Sequence, residues 1–202
     1  MSNDLPTIYL ARHGETAWTL SHQHTGRTDI PLTPRGEANA RSLGERLRGI
    51  EFQRVLTSPL ERARRTCELA GFDSAILLEP DLMEWDYGDY DGLTTVEIRR
   101  KNPDWSLFRD GCPGGESVEQ IGARADRLIT RLRASGGRQL LFGHSHIFRV
   151  LAARWLGLPP AGGRLLYLST AALSVTGYEH SLDEPVIHLW NDDRHVQIDR
   201  PA

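Results

Sequence analysis

Two histidines stand just after short apolar runs of the sequence. His13 comes two positions after the run at residues 7–11, and His144 directly follows the run at residues 139–143. Apolar runs of this length between amphipathic stretches are typical of buried strands. The carboxyl ends of such strands are where an open α/β sheet binds its ligands, because helix N-termini and loop amides converge there. We therefore expect both imidazoles at one edge of a sheet, next to a bound ligand.

Arginines accompany these histidines and make an anion the expected ligand. Arg12 precedes His13, and Arg62 lies four residues after Ser58, where a helix is predicted to begin. Each guanidinium can present a planar fork of donors to phosphate, and His144 can add a further donor. Neighbouring positive charge lowers the pKa of an imidazole, so that one nitrogen of His13 is free to attack phosphorus at neutral pH. The pattern predicts a phosphate pocket and catalysis through a phosphohistidine.

The departing group of such a reaction needs a proton donor, and Glu84 is the candidate. It lies just after the third apolar run, in a segment rich in acids and aromatics. Trp85 and Tyr87 would exclude water there, and we expect them to raise the pKa of the carboxyl into the range of a general acid. Asp86 and Asp89 are weaker candidates, because alternation along the segment would point them outward.

Positioning these residues requires a sheet covered by helices. The alternation of apolar runs with longer amphipathic stretches predicts an α/β fold, a three-layer α/β/α sandwich around a mostly parallel sheet of about six strands. The strands are predicted at residues 7–11, 52–57, 75–79, 139–143, 171–178 and 186–190, the last two as a hairpin or an edge.

Helices are predicted between these strands. The first runs from Pro34, with Thr33 as its N-cap, to near Gly49. The second has Ser58 as its N-cap and Pro59 as its first residue, and Glu61 completes a capping box. The others are predicted from about Thr95 to before Asn102, over residues 118–132 and over residues 145–155. Residues from about 82 to 116 are expected to form an excursion above the sheet, over the active site.

Composition excludes several classes of protein. The 202 residues are 39% hydrophobic and 25% charged, which favours one globular domain over residues 1–202 and excludes collagen-like and wholly disordered chains. No apolar run approaches the roughly 18 residues of a membrane span, and the opening MSNDLPTIYL lacks the basic and apolar parts of a signal peptide. We expect a cytoplasmic protein without a membrane partner.

Net charge and cysteine content argue against nucleic acid as a partner and against two kinds of cysteine site. The net charge of −3 disfavours nucleic acid, which usually demands a basic surface. Cys67 and Cys112 are too few for a disulfide framework and form no CxxC pair, so a reducing compartment fits and a zinc-thiolate site does not. Cys67 shares one predicted helix face with small residues, which indicates a core position and not a reactive thiol.

A metal site is the alternative interpretation of the histidines. His13, His144 and His146 together with nearby acids could act as hydrolase ligands. Two arginines in the same pocket would repel a cation, so we expect neither a metal nor another cofactor. His146 is interpreted as a structural contact at the start of a helix and not as a catalytic group.

Five motifs in series resemble the histidine phosphatase superfamily, in its phosphoglycerate-mutase-like branch. They are LARHGET at 10–16, TGRTDIPLT at 25–33, SPLERA at 58–63, EWDYG at 84–88 and GHSH at 143–146, and the resemblance covers about the whole chain. The resemblance implies that His13 is the nucleophile and that Glu84 is the general acid that later activates water. It further implies a phosphate pocket of Arg12, Arg62 and His144, a loop at Thr25 and Gly26 lining the substrate phosphate, and an aromatic substrate contact from Tyr87.

Two positions depart from the family pattern. The family often has Asn six residues beyond the nucleophile, where this chain has Thr19 after Trp18. The second histidine motif usually reads Gly-His-Gly, whereas Ser145 stands here in the expected substrate pocket. The hydroxyl of Ser145 would either crowd the pocket or reinforce it.

The function expected from these features is a metal-independent phosphatase that hydrolyses phosphomonoesters of small metabolites. The segment EWDYGDYDG at 84–92 and the DEP at 183–185 are similar to those of sugar-bisphosphatase and broad-specificity acid-phosphatase members, so a sugar phosphate is the preferred substrate. The sequence leaves a homo-oligomer open.

Two alternatives of function remain. A phosphoglycerate mutase would carry a lysine near the position of Thr95 to hold the substrate carboxylate. The basic residues nearest to Glu84 are Arg99, Arg100, Lys101 and Arg109, the first three expected to face solvent. A non-catalytic sensor of phosphorylated ligands would keep the arginines but not Glu84, and the presence of Glu84 argues against it.

Overall fold

A six-stranded, mostly parallel sheet lies at the centre of the computed structural model, which describes residues 5–196. Its strands are β1 (Thr7–Arg12), β2 (Arg54–Thr57), β3 (Ile76–Leu78), β4 (Arg138–Gly143), β5 (Leu173–Tyr178) and β6 (Pro185–Asp192). The spatial order is β3-β2-β4-β1-β5-β6. β4 pairs in parallel with both β1 and β2, and β2 pairs in parallel with β3, whereas β5 is antiparallel to β1 and to β6. The predicted edge hairpin is therefore confirmed.

Seven α-helices surround the sheet within the described residues. They are α1 (Ala17–Leu20), α2 (Pro34–Leu47), α3 (Glu61–Leu69), α4 (Thr95–Lys101), α5 (Leu107–Asp110), α6 (Val118–Ser135) and α7 (Ser145–Trp155). One core cluster joins α2 and α3 to one face of the sheet, and a larger cluster joins α6 and α7 to the other face. The predicted three-layer sandwich is confirmed. The predicted single domain spans residues 1–202, of which residues 1–4 and 197–202 lie outside the described part. A single domain over the whole chain therefore stays a prediction.

Local signals explain how the helices begin. Thr33 is the N-cap of α2 and accepts a hydrogen bond from the amide of Gly36, with Pro34 as the first helical residue. The predicted start of α3 is wrong: Leu60 and not Ser58 is its N-cap, and no side chain caps it. The hydroxyl of Ser58 instead lies 2.8 Å from Nε2 of His144. A long-range contact therefore overrides the local capping signal.

The predicted excursion contains no strand between residues 82 and 116, only short helices and turns. Its aromatic side chains anchor it, since Trp85 and Trp105 are buried in the core cluster that α6 and α7 form. The indole of Trp85 donates to the carbonyl of Glu116 at 2.9 Å. The excursion is therefore a packed part of the sandwich, and it carries Glu84 over the carboxyl ends of the strands.

Two further expectations can be compared with the structure. Cys67 is fully buried in the α2–α3 core, and burial raises the pKa of its thiol to about 12, which fits a core residue. No helix within residues 5–196 combines the length and the apolar character that crossing a bilayer requires.

Candidate active site

His13 lies immediately beyond β1, with its backbone bonded on both sides. Its amide donates to the carbonyl of Gly143 at 2.9 Å, and its carbonyl accepts from the amide of Ala171 at 3.0 Å. The imidazole Nδ1 lies 2.7 Å from the carbonyl oxygen of Gly14. A carbonyl only accepts, so Nδ1 carries the proton and Nε2 has a free lone pair. Nε2 has no hydrogen-bond partner among residues 5–196, which leaves it available as a nucleophile.

Burial and charge keep this imidazole neutral. Burial, followed by the positive charges of Arg62 and Arg12, holds the pKa of His13 well below its ordinary value. The uncharged, Nδ1-protonated form therefore predominates at neutral pH.

The carbonyl that orients His13 depends on a close backbone approach. A Cβ atom on Gly14 would lie 2.5 Å from the carbonyl oxygen of Gly36 in the first turn of α2, and a Cβ on Gly36 would collide with the carbonyl oxygen of Glu15. The amide of Gly14 also donates to the hydroxyl of Thr66 at 3.0 Å. The loop after β1 therefore packs against α2 with no room for a side chain at either glycine.

Arg12 supplies positive charge to the same cavity. Its Nη1 donates to the carbonyl of Leu168, whereas its buried Nε has no hydrogen-bond partner within residues 5–196. In that part of the chain no carboxylate forms an ion pair with it. A buried, positively charged N–H group without an acceptor favours the binding of an anion. The Nε–H of Arg12 can therefore donate to a phosphoryl group.

Arg62 and His144 lie behind His13, fully buried and away from the cavity wall. Arg62 Nε donates to Nδ1 of His144 at 3.2 Å, which fixes the proton of His144 on Nε2, where it is donated to Ser58. The Nη atoms of Arg62 donate to the carbonyls of Thr25, Gly26 and Thr28 at 2.9 to 3.0 Å. His144 would have to give up one of its two hydrogen bonds in order to contact a phosphate. The phosphate contacts of Arg62 and His144 therefore stay predictions.

The rings of His13 and His144 nevertheless stand together, with centroids 5.2 Å apart. Burial and the charge of Arg62, in that order, lower the pKa of His144 well below its ordinary value. In this arrangement Arg62 organises the loop at residues 25–28 and lowers the pKa of both imidazoles.

Glu84 lies at the N-terminus of α7, where backbone amides converge on its carboxylate. It accepts hydrogen bonds from the amides of Trp85 at 2.9 Å, His146 at 3.1 Å and Ile147 at 3.0 Å. Burial alone would raise its pKa, but the hydrogen bonds and charge of His146 and the charge of His144 lower it well below the ordinary value. The expectation of a raised pKa is therefore wrong for the free protein, because the imidazoles of His146 and His144, and after them the amide of His146, stabilise the carboxylate.

Tyr87 and His146 form the wall beside Glu84. The phenol oxygen of Tyr87 lies 2.6 Å from Nδ1 of His146, and burial raises the pKa of this phenol well above its ordinary value. His24 packs on the Tyr87 ring with centroids 4.8 Å apart. His146 does stand at a helix start, as the sequence predicts, but it also lines the cavity, which the sequence analysis missed.

These groups surround a cavity of about 480 Å³. Six of the predicted site residues line it: Arg12, His13, Thr25, Glu84, Tyr87 and Ser145. Gly26, Arg62 and His144 do not. Several other lining residues were not predicted from the sequence, among them Gln23, His24, Arg149, Tyr167 and Ser169. Gln23 and His24 could have been found from their adjacency to the motif at 25–33, whereas Arg149 and the segment before β5 carry no local signal.

The two departures from the family pattern both fall on this cavity wall. The hydroxyl of Thr19 accepts from the amide of Thr16 at 2.9 Å and donates to its carbonyl at 2.8 Å, so it caps α1. Ser145 is the first residue of α7 and almost fully buried.

In the described range, no cluster of three or more His, Cys, Asp or Glu side chains is arranged to hold a metal ion.

The architecture is an α/β sandwich that brings an unpaired guanidinium nitrogen of Arg12 and an uncharged imidazole to the strand ends. The family model described as "Histidine phosphatase superfamily (branch 1)" matches residues 8–193. The chain therefore belongs to the histidine phosphatase superfamily and is a phosphatase.

Individual relatives agree with this membership. An acid phosphatase of Mycobacterium tuberculosis is 40% identical over 179 residues, which cover 87% of this chain and 88% of that protein. Sedoheptulose 1,7-bisphosphatase of Saccharomyces cerevisiae is 37% identical over 185 residues, which cover 76% and 68% of the two chains. A solved structure of an open reading frame product from M. tuberculosis superposes with a TM-score of 0.86 at 37% identity, covering 92% of this chain and 97% of that chain.

Proposed function

We propose that this protein hydrolyses phosphomonoesters of small metabolites, preferentially sugar phosphates, through a phosphohistidine on His13 and without a metal ion. The observation that carries the proposal is the contact of His13 Nδ1 with the carbonyl of Gly14 at 2.7 Å. It leaves Nε2 deprotonated and without a partner in the described part of the chain. The lowered pKa of His13 keeps that lone pair available at neutral pH.

The first step transfers the phosphoryl group to the enzyme. Nε2 of His13 attacks phosphorus, the P–N bond forms, and the P–O bond to the alcohol breaks. Glu84 delivers a proton to the departing oxygen. Because the carboxylate is ionised in the free protein, this proton enters with the substrate, whose phosphate has a second pKa of about 6 and is partly monoanionic near neutral pH.

The second step returns the enzyme to its starting state. Glu84, ionised again, removes a proton from water, and the resulting hydroxide oxygen attacks phosphorus. The P–N bond breaks, His13 regains its lone pair, and inorganic phosphate leaves with the proton that Glu84 had taken from water, so that the carboxylate is ionised again. In both steps Arg12 would stabilise the charge that develops on the phosphoryl oxygens, because its unsatisfied Nε is already buried and oriented.

The wall beside the leaving group supports a polyhydroxylated substrate. Gln23, His24, Thr25, Tyr87 and Ser145 bring amide, imidazole and hydroxyl groups to the cavity. Such groups can bond to sugar hydroxyls, whereas an apolar wall would not. One relative is named for a sugar bisphosphate, which favours the same class of substrate.

The mutase alternative requires cations that hold a substrate carboxylate. Thr95, at the expected lysine position, bonds through its hydroxyl to Nε2 of His24 at 3.2 Å. Arg99 donates to the carbonyl of Trp105 at 3.0 Å, and Arg109 is paired with the neighbouring Asp110 at 2.8 Å. None of the four basic residues singled out from the sequence lines the cavity. Because none of these four positions supplies a cation to the cavity and position 95 has no lysine, we favour water as the acceptor of the phosphoryl group.

A phosphate-release assay tests the proposal. The purified protein is incubated with sugar phosphates, nucleotides and 3-phosphoglycerate, and inorganic phosphate is compared with substrate consumed and with 2-phosphoglycerate formed. We expect a one-to-one yield of phosphate, inhibition by vanadate and no effect of a chelator. Isomerisation at ten times the rate of phosphate release would indicate a mutase, and no phosphate from any substrate would indicate a sensor.

The cytoplasmic location of the protein also stays a prediction.

A further inference from the structure

We propose that Asn191, which lies outside the cavity wall, is a positioning residue for Arg12 and acts on it through a single peptide unit. The inference rests on the proposed function, in which Arg12 binds the phosphoryl group. The side-chain oxygen Oδ1 of Asn191 accepts a hydrogen bond from the amide of Ser169 at 2.6 Å. At the opposite side of the same peptide unit, the carbonyl of Leu168 accepts a hydrogen bond from Nη1 of Arg12.

The peptide unit between Leu168 and Ser169 links the two side chains because it is planar. In a trans peptide the carbonyl and the amide lie in one plane and point in opposite directions. A rotation of this plane would therefore break both hydrogen bonds together. Asn191 on one side thus determines where the Leu168 carbonyl points, and this carbonyl holds the guanidinium of Arg12 on the other side.

A β-bulge brings Asn191 to this peptide unit. In the β5–β6 ladder one residue of β5, Ser174, lies opposite two residues of β6, Trp190 and Asn191. Asn191 adopts a φ of 56°, and its amide donates to the hydroxyl of Ser174 at 3.0 Å. Bulges of this kind redirect a side chain and are frequent next to active sites. The bulge directs the Asn191 amide group away from the ladder and towards Ser169.

Non-glycine residues with a left-handed φ are concentrated around this site. Within residues 5–196 they are His22, Ala171 and Asn191. His22 lines the cavity, and the amide of Ala171 donates to the carbonyl of His13 at 3.0 Å. Such backbone costs energy and persists where the surrounding contacts enforce it, which is common at active sites. The segment at residues 168–171 is therefore held by Asn191 on one side and by the end of β1 on the other.

Loss of the Asn191 oxygen would leave the peptide unit free to rotate and would remove the acceptor of Arg12 Nη1. The guanidinium would then sample several orientations, and only some of them point Nε at a phosphoryl group. A donor that is oriented in advance costs no reorganisation when the ligand or the transition state forms, whereas a mobile one loses rotamer entropy each time. We therefore expect Asn191 to increase the affinity for a phosphate-like oxyanion that it does not contact.

Calorimetry with vanadate tests this role without turnover. Asn191→Gly removes the side-chain oxygen and places a residue at this position that adopts a positive φ without strain. We expect it to bind vanadate roughly 10-fold more weakly or worse, within the range for a charge-assisted hydrogen bond. Asn191→Asp keeps an oxygen and tolerates the same φ, so it should restore most of the affinity. Asn191→Ala replaces the glycine variant if that variant does not fold, since Ala171 already adopts a φ of 56°.

Trp190→Phe is the matched control. The indole of Trp190 donates to the carbonyl of Tyr167 at 2.6 Å, so the substitution removes one hydrogen bond between the same two segments. It leaves the peptide unit between Leu168 and Ser169 bonded on both sides. Its vanadate affinity should change by less than about threefold, as for most substitutions away from a buried network.

A double-mutant cycle shows whether Asn191 acts through Arg12. In an Arg12→Met background, Asn191→Gly should weaken vanadate binding further by less than about threefold, because the group that it positions is already gone. An effect of Asn191 on the fold alone would cause the same loss in both backgrounds.

Four results would overturn the inference: an unchanged affinity in the glycine or alanine variant, an equal loss in Asn191→Asp, a full further loss in the Arg12→Met background, or no binding of vanadate by the unsubstituted protein. All four are read from binding. A failure of the proposed function would appear separately, as absent phosphate release by an unsubstituted protein whose vanadate affinity still depends on Asn191.

Discussion

The backbone amide and the imidazole of His146 both face one carboxylate oxygen of Glu84 at the start of α7. The amide of His146 donates to Oε2 of Glu84 at 3.1 Å, and Nδ1 of its imidazole lies 3.8 Å from the same atom. Burial is the main cause that lowers the pKa of His146, and Glu84 opposes it, while His146 lowers the pKa of Glu84. The two groups therefore titrate as a pair, and the protonation of the acid depends on its neighbour.

His146→Gln should move the alkaline limb of the kcat profile to higher pH. Without the imidazole, burial is less opposed, so the pKa of Glu84 rises and the carboxyl stays protonated to higher pH. Kinetics from pH 4 to 9 measure the shift. Tyr87→Phe removes the other partner of Nδ1 and keeps the imidazole, so its limb should stay close to that of the unsubstituted protein. An unmoved limb in His146→Gln would contradict the coupling.

His13→Ala should abolish turnover and leave the fold intact, since His13 provides the only group assigned to attack phosphorus. In the unsubstituted protein, label from a ³²P-phosphorylated substrate should be trapped on His13 as an acid-labile, base-stable adduct. Mass spectrometry of the quenched protein locates it. His180→Ala alters an exposed histidine and should change neither readout. Full activity of His13→Ala would disprove the mechanism.

Glu84→Gln should slow the hydrolysis of sugar phosphates by roughly 10²- to 10⁴-fold, the usual contribution of general acid catalysis. The loss should be smaller for p-nitrophenyl phosphate, because its phenolate leaves without a proton. Single-turnover rates with both substrates separate the first step from the second. An equal loss for both substrates would show that Glu84 positions the substrate and does not protonate the leaving group.

The free energy of unfolding should fall as pH falls from about 6.5 to 4, in part because of His24. Burial lowers the pKa of His24 to about 4 in the folded protein, so the unfolded chain binds the proton first and acid favours unfolding. This shift corresponds to up to about 3 kcal/mol. His24→Gln should flatten the slope in urea titrations at pH 8, 6.5, 5 and 4. The value at pH 8 separates lost packing from the proton effect, and an unchanged slope would refute the assignment.

Arg124→Met should destabilise the protein by about 3 kcal/mol or more and lower kcat, because it leaves a buried charge unpaired. Arg124 is almost fully buried, donates to Glu116 at 2.6 Å and also reaches the carbonyls of Met83 and Glu84. It therefore positions the segment that carries the acid. Arg131→Met breaks more exposed ion pairs and should cost less than about 1 kcal/mol. Equal losses in urea unfolding would remove the positioning role.

The elements that could be predicted from the sequence are those whose signals are local. β1 and the adjacent His13 follow from one apolar run and the residue beyond it, and α2 begins where Thr33 and Pro34 indicate. The deciding contacts of a helix cap lie within four residues, so a single sequence contains them.

The features that could not be predicted depend on distant contacts. Two of the three amides that bond to the Glu84 carboxylate come from 62 and 63 residues away in the chain, and the carbonyls that accept from Arg62 come from 34 to 37 residues away. Aromatic neighbours at positions 85 and 87 therefore suggested a raised pKa for Glu84, although the distant His146 and His144 lower it. Arg149 escaped for the same reason, because only the fold brings its helix turn to the cavity.

The close approach of Gly14 and Gly36 creates two kinds of position around one site. At wall positions such as Thr19 and Ser145, an exchange of side chain alters what the cavity accepts. At the two glycines, a single methyl group would separate α2 from the loop and displace the carbonyl that orients His13. Substitutions at the wall can therefore change which substrates enter without moving the nucleophile, whereas substitutions at the two glycines would move it.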